Sequence, residues 1–145
     1  MKILLITIIT ASADLFTKKK VRKKFKNGEK RHIKGRLYIW HVKNKGIAYN
    51  RLQDNRKKVM AVSGGACAAV VAWLFYLMRS GAGFFQKLGA ALILGGGMGN
   101  LIDRIQNREV TDFIYIDFKK APIFNVADIA AVLGGIVTVI SSLGK

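Results

Sequence analysis

Hydrophobic and polar positions alternate in long blocks along this chain: four apolar runs separated by polar segments. Residues 3–17 are apolar apart from Thr7, Thr10, Ser12, Asp14 and the closing Thr17. Residues 59–78 form a run holding Ser63, Gly64, Gly65 and Trp73, and Arg79-Ser80-Gly81 makes a turn after it. A third run covers 82–105, with Gln86 and Lys87 near its start. The fourth covers 123–143. About 20 apolar residues suffice to cross a bilayer as a helix. The pattern therefore predicts an all-α integral membrane protein with four transmembrane helices. The first run is short for a span, and Met1-Lys2 with Ala11-Ser12-Ala13 also fits a secretory signal peptide.

Residues 18–58 break the apolar pattern. Lys18 to Arg36 is a charge run, read as a solvated face or flexible loop touching anionic lipid. Leu37 to Val42 is rich in β-formers, Asn44-Lys45-Gly46 reads as a turn, and Ile47-Ala48-Tyr49 follows. This predicts a small β-hairpin or cradle at the membrane interface, with Tyr38, Trp40 and Tyr49 at headgroup level. Four crossings put both termini on one side of the membrane. Asp14, the hairpin with Asn44, Asp112 and Asp128 then fall together on the other.

Composition sharpens this picture. The chain has 145 residues, one domain's worth, with 51% hydrophobic residues and a formal charge of +17. Such a charge suits a soluble nucleic-acid binder, but long apolar runs do not, so no nucleic-acid partner is expected. Cys67 is the single cysteine, which excludes an internal disulfide; it reads as a small buried hydrophobe. No Cys/His cluster offers a metal site, and His32 and His41 are expected at the surface.

Candidate chemistry concentrates between Gly95 and Asp128. This stretch holds Asp103, Glu109, Asp112, Asp117 and Asp128, five of the chain's eight acids. Acids beside membrane-like runs are costly and usually functional. On a helix Asn100, Asp103 and Arg104 share one face, as do Asn125 and Asp128. Asp112 and Asp128 would be about 24 Å apart on one straight helix. Pro122 breaks that helix, so the two carboxylates can meet at the mouth of two antiparallel helices. Two carboxylates in one site divide a proton between acid and base, as in aspartic proteases. Helix caps or loop charges are the competing reading, and spacing leaves both open.

Three blocks carry a resemblance: Gly96-Gly97-Met98-Gly99-Asn100-Leu101-Ile102-Asp103-Arg104, Val110-Thr111-Asp112-Phe113 and Phe124-Asn125-Val126-Ala127-Asp128. In order and spacing they resemble signal peptidase II, the lipoprotein signal peptidase family. Asp14-Leu15-Phe16-Thr17-Lys18 is similar to the block that closes that family's first span, with Leu15 where Gln is usual. Asn44, Gly46, Ala48 and Tyr49 match a further block, with Ile47 where Ala is usual. The resemblance implies an aspartic endopeptidase that removes signal peptides from bacterial prolipoproteins before a diacylglyceryl-modified cysteine. It implies Asp112 and Asp128 as the catalytic dyad, with Asn100, Asp103, Arg104 and Asn125 as a supporting polar shell. Asn44 and Gly46 would hold substrate backbone, and Asp14 and Lys18 are further members. No metal or organic cofactor is implied. The expected protein is a monomer in the plasma membrane, in contact with membrane lipids.

Two other classes compete. One is a non-catalytic four-helix membrane protein that binds anionic lipid or a partner through its basic loop; intact Asp112 and Asp128 argue against it. The other is a small transporter or channel, and acids gathered at one membrane face argue against that. The side of the membrane is itself contested. Seventeen Lys and Arg lie between Lys18 and Lys58, against Lys2, Arg79, Lys87 and Lys145 opposite. The positive-inside rule would make the loop cytoplasmic. The resemblance puts the loop and both aspartates at the extracytoplasmic face.

Overall fold

Helix α3 (Phe84–Asn107) is the element against which the other helices pack. In the computed structural model, which describes residues 2–47, 54–119 and 121–143, α1 (Lys2–Lys24), α2 (Arg56–Arg79) and α4 (Val126–Leu143) surround it. Three consecutive glycines show how one helix serves three neighbours. A Cβ on Gly95 would lie 2.6 Å from Thr10 of α1. One on Gly96 would overlap the Ala127 carbonyl of α4, and one on Gly97 would come within 3.1 Å of the Cys67 sulfur of α2. Successive helical residues point about 100° apart, so the three glycines open three sides of α3. Small residues let helices approach in this way where lipid removes the hydrophobic drive.

The outward faces are apolar. Leu4, Ile8 and Phe16 on α1, Val71 and Phe75 on α2, and Ile136 and Ile140 on α4 are exposed. Among the described residues, α2 and α4 are long and apolar enough to cross a membrane.

The chain is not all-α. Strands β1 (Lys30–Lys34), β2 (Leu37–Asn44), β3 (Val110–Ile116) and β4 (Ile123–Phe124) form one antiparallel sheet in the order β1-β2-β3-β4. The expected hairpin is shifted. Leu37 to Val42 is a strand, but its hairpin partner precedes it, joined through Gly35 in the left-handed region at φ 54. Ala48 and Tyr49 lie outside the described residues. A segment as basic as β1 becomes a strand because its partners supply contacts. The Lys30 ammonium sits over the rings of Tyr38 and Tyr115, 4.3 and 4.5 Å from their centres.

The segment expected to bring Asp112 and Asp128 together as two helix ends instead supplies β3, β4 and the start of α4. Arg108, with φ 66, ends α3 and turns the chain directly into β3. Two further expectations change. Helix α1 runs on to Lys24, so Lys18 to Lys24 are helical, not loop. His41 is buried at the bulge between Ile39 and Val42, its Nδ1 2.9 Å from the Phe25 carbonyl oxygen. His32 is exposed and Cys67 half-buried.

The glycine contacts give a test. Gly96→Val should lower stability by about 1–3 kcal/mol, the usual range for overpacking. Gly64→Ala, which faces open space, should be neutral or up to about 1 kcal/mol better through helix propensity. Thermal unfolding in detergent measures both. Equal midpoints for Gly96→Val and wild type would contradict the close approach of α3 and α4.

Candidate active site

Asp112 sits in β3, opposite Val42 of β2, and is only 5% exposed. The antiparallel register also sets Asn44 opposite Val110, which lets the Asn44 Nδ2 donate to Asp112 Oδ2 at 3.0 Å. Asn125 Nδ2 donates to Asp112 Oδ1 at 2.7 Å. Both donors are neutral amides. Burial pushes the Asp112 carboxyl up to about 6; the amide hydrogen bonds and the Lys18 charge pull the other way, and the Asp128 charge pushes with burial.

Asp128 lies in the first turn of α4, where the helix dipole favours an anion. Its Oδ2 accepts from the Asn125 backbone N–H at 3.1 Å, and its own N–H donates to Asn125 Oδ1 at 2.9 Å. This reciprocal pair caps the helix in the manner of a capping box. The capping reading of Asp128 therefore holds, and the cap is what aims the carboxylate. Asp128 Oδ1 accepts from Asn100 Nδ2 at 3.0 Å, and Asn125 Nδ2 also donates to Asn100 Oδ1 at 3.1 Å. Carboxamides thus connect the two carboxylates without adding charge.

Asn100 is held from its far side. The Lys18 ammonium lies 2.7 Å from Asn100 Oδ1, 2.7 Å from Asp14 Oδ2 and 3.8 Å from Asp103 Oδ2. Asp14 and Lys18 are both fully buried, and Asp14 Oδ1 accepts from the Ala127 N–H of α4 at 2.9 Å. Asp103 binds Arg22 at 2.8 Å, Asn107 at 2.7 Å and the Thr111 N–H at 2.9 Å. Arg22 also donates to the Thr111 hydroxyl at 2.8 Å, next to Asp112.

Asp103 and Arg104 do not pair with each other. Arg104 instead donates to the Gly46 carbonyl at 2.8 Å and the Asn100 carbonyl at 3.3 Å. Gly46 N–H donates to Asn44 Oδ1 at 3.0 Å, so the turn after β2 orients Asn44. All ten expected site residues therefore meet in one region. Asp112, Asp128, Asn44, Asn100, Asn125, Gly46 and Arg104 lie around the two carboxylates, with Asp14, Lys18 and Asp103 behind. Arg22, Asn107 and Thr111 belong to the same network and were not anticipated. Arg22 was detectable: it follows Asp14 and Lys18 at four-residue steps, the repeat of one helix face.

A cavity of about 510 Å³ opens onto Asp112, Asp128, Asn44, Asn100 and Arg104, and its other walls include Val62, Ala66 and Val70 of α2 and Val132 of α4. Polar groups at one side of an apolar cleft suit a substrate with a polar backbone and greasy substituents. Asp117 stands apart, 3.2 Å from the exposed Tyr115 hydroxyl, and Glu109 pairs with Lys43 at 2.7 Å.

Residues 6–144 match the family described as Signal peptidase (SPase) II. The chain is 35% identical over 143 residues to the lipoprotein signal peptidase of Maridesulfovibrio salexigens, covering 94% of this chain and 92% of that one. It is 40% identical over 108 residues to the lipoprotein signal peptidase of Syntrophomonas wolfei, covering 74% of this chain and 69% of that one. Its fold is similar to a solved bacterial membrane enzyme, with a TM-score of 0.87 and 26% identity over 99% of this chain and 88% of that one. With such a neighbour and the apolar α2 and α4, it is a membrane protein. The chain belongs to the signal peptidase II family, aspartic endopeptidases that remove signal peptides from prolipoproteins.

Proposed function

We propose that Asp112 and Asp128 are the catalytic dyad with which this chain cleaves a prolipoprotein just before its diacylglyceryl-modified cysteine. One observation carries the assignment. Two carboxylates from separate elements, joined through the Asn125 and Asn100 amides, line the same largely apolar cavity. One carboxylate takes a proton from water as the water attacks the scissile carbonyl, and the other protonates the leaving amine. The apolar walls from α2 and α4 suit the substrate's acyl chains. In this reading Asn44, which lines the cavity, and Gly46, held by Arg104, meet substrate backbone.

The same reading has all four helices crossing the membrane of a monomer. Helices α1 and α3 carry Asp14, Lys18, Asn100, Asp103 and Arg104 toward the interior, while Leu5, Ile9 and Phe85 face outward. Inward polar groups lower the mean hydropathy of a helix without exposing charge to lipid. The dyad and sheet lie on the extracytoplasmic side, and the basic residues of α1 and β1 contact anionic headgroups.

The dyad is tested by Asp112→Asn and Asp128→Asn. Each should abolish cleavage of a lipid-modified prolipoprotein by purified protein while leaving it folded. Asp117→Asn should be nearly silent. Wild-type rates in either dyad variant would remove the assignment.

Asp112 also predicts a pH-dependent stability. Its folded value of about 6 lies above the unfolded 3.8, so the native state binds the extra proton between them. Stability from this group is present below about pH 4 and lost as pH rises through 6. Asp112→Asn, always neutral, should be more stable than wild type at pH 7.5, by up to about 3 kcal/mol. The gap should close near pH 4. Thermal unfolding at both pH values checks this; a variant less stable at pH 7.5 than at pH 4, relative to wild type, has the wrong sign.

Topology is tested by single cysteines at Lys26 and Ser80 in a Cys67→Ala background. An impermeant thiol reagent on intact cells should label position 26 and spare position 80. The reverse pattern would invert the orientation.

A further inference from the structure

The Lys18 ammonium is the one fully buried cation in the network, and its position explains the orientation of the Asn100 amide. Asn100 Oδ1 receives Lys18 at 2.7 Å and Asn125 Nδ2 at 3.1 Å, so both its lone pairs are occupied. Asn100 Nδ2 is left facing Asp128 Oδ1 at 3.0 Å. Were the amide reversed, its NH2 would meet an ammonium and its oxygen a carboxylate, repulsive at both ends. Resting on the dyad reading above, we infer that Lys18 is a positioning residue that acts through Asn100 to aim the Asp128 carboxylate as the general base, with Asp112 as the acid.

The two carboxylates are treated differently by the fold. Asp128 receives the cation-anchored Asn100 amide and the Asn125 backbone N–H, at the N-terminus of α4. These contacts fix where its carboxylate points. Asp112 receives only the neutral amides of Asn44 and Asn125, within a strand whose neighbours Val110, Thr111 and Phe113 are buried. In the reaction, Asp128 Oδ removes a proton from water and the oxygen bonds to the scissile carbonyl carbon. The carbon–nitrogen bond then breaks, and the Asp112 proton passes to the departing nitrogen.

Among the described residues, the other charged or titratable groups beside the cluster include Asp14 and Arg22 of α1, Asp103 and Arg104 of α3, and Cys67 of α2. Arg104 donates to backbone carbonyls at Gly46 and Asn100, not to the dyad. Arg22 is held by Asp103 and Thr111. Asp14 pairs with Lys18 at 2.7 Å, and the Lys18 charge also acts on Asp112. What Lys18 sets at Asp128 is the orientation of one amide.

The test is Lys18→Met, together with Asp14→Asn/Lys18→Met. The double variant removes a positive and a negative charge at nearly constant volume, so it keeps the fold where the single change leaves Asp14 unpaired. In both, kcat should fall at least about tenfold, part of the roughly 10²–10⁴ that a positioned general base contributes. KM should change much less. An unchanged kcat in the folded double variant, or a KM that rises as much as kcat falls, overturns the relay. Activity in Asp112→Asn or Asp128→Asn would instead remove the dyad itself; inactive dyad variants with an unaltered kcat in the Lys18 variants reject this inference alone.

Discussion

A buried ammonium must be paired, and the site is arranged around the pairing of Lys18. Removing such a charge from water costs several kcal/mol unless its partners are well placed. Lys18 meets Asp14 one helical turn earlier and Asn100 on α3, with Asp103 nearby. Asp14 in turn accepts the Ala127 N–H in the first turn of α4. One cation therefore ties three helices at the level of the two carboxylates. Gly99 makes room for it: a side chain there would run into the Asp14 carboxylate.

The residue types in the network follow from a charge limit. One of two carboxylates in a pocket keeps a proton most readily where the donors beside them are neutral. Asn44, Asn100 and Asn125 meet this need, since each carboxamide both donates and accepts. Asn125 uses three contacts at once: Nδ2 to Asp112, Nδ2 to Asn100 and Oδ1 to the Asp128 N–H. A buried network of this kind holds geometry tightly. Asp112 nonetheless sits where its charged form is disfavoured. That is a stability penalty located at the proposed reacting group, as expected where function and stability compete.

Helix packing and site geometry are the same problem in this fold. The Gly95-Gly96-Gly97 sequence brings α1, α4 and α2 close to α3 on three sides. Asn100 and Asp103 follow within two turns and reach Lys18 and Arg22 on α1, Asp128 on α4 and Thr111 on β3. Small displacements of α3 would therefore reach both carboxylates. The sheet adds a second constraint, because β2–β3 pairing carries Asn44 to Asp112.

Much was legible in the residues themselves. Long apolar runs marked α2 and α4, because a helix facing apolar surroundings has no polar stripe to hide it. The Gly96–Arg104, Val110–Phe113 and Phe124–Asp128 blocks marked the site, because each combines polar groups with an apolar setting. The sheet was not legible: β1 is fully exposed and basic, and becomes a strand only by pairing with β2 and stacking Lys30 on its aromatics. The extension of α1 past Lys18 was hidden for the same reason, since Lys18 and Arg22 look solvated until Asp103 and Asn100 are brought to them. His41 reads as a surface residue until the bulge in β2 buries it against Phe25. The sequence by itself determined which residue types gather beside the apolar runs, because charge and apolar runs can be read along a chain. Only the tertiary structure decided which amide faces which carboxylate, because hydrogen-bond direction depends on contacts more than eighty residues apart.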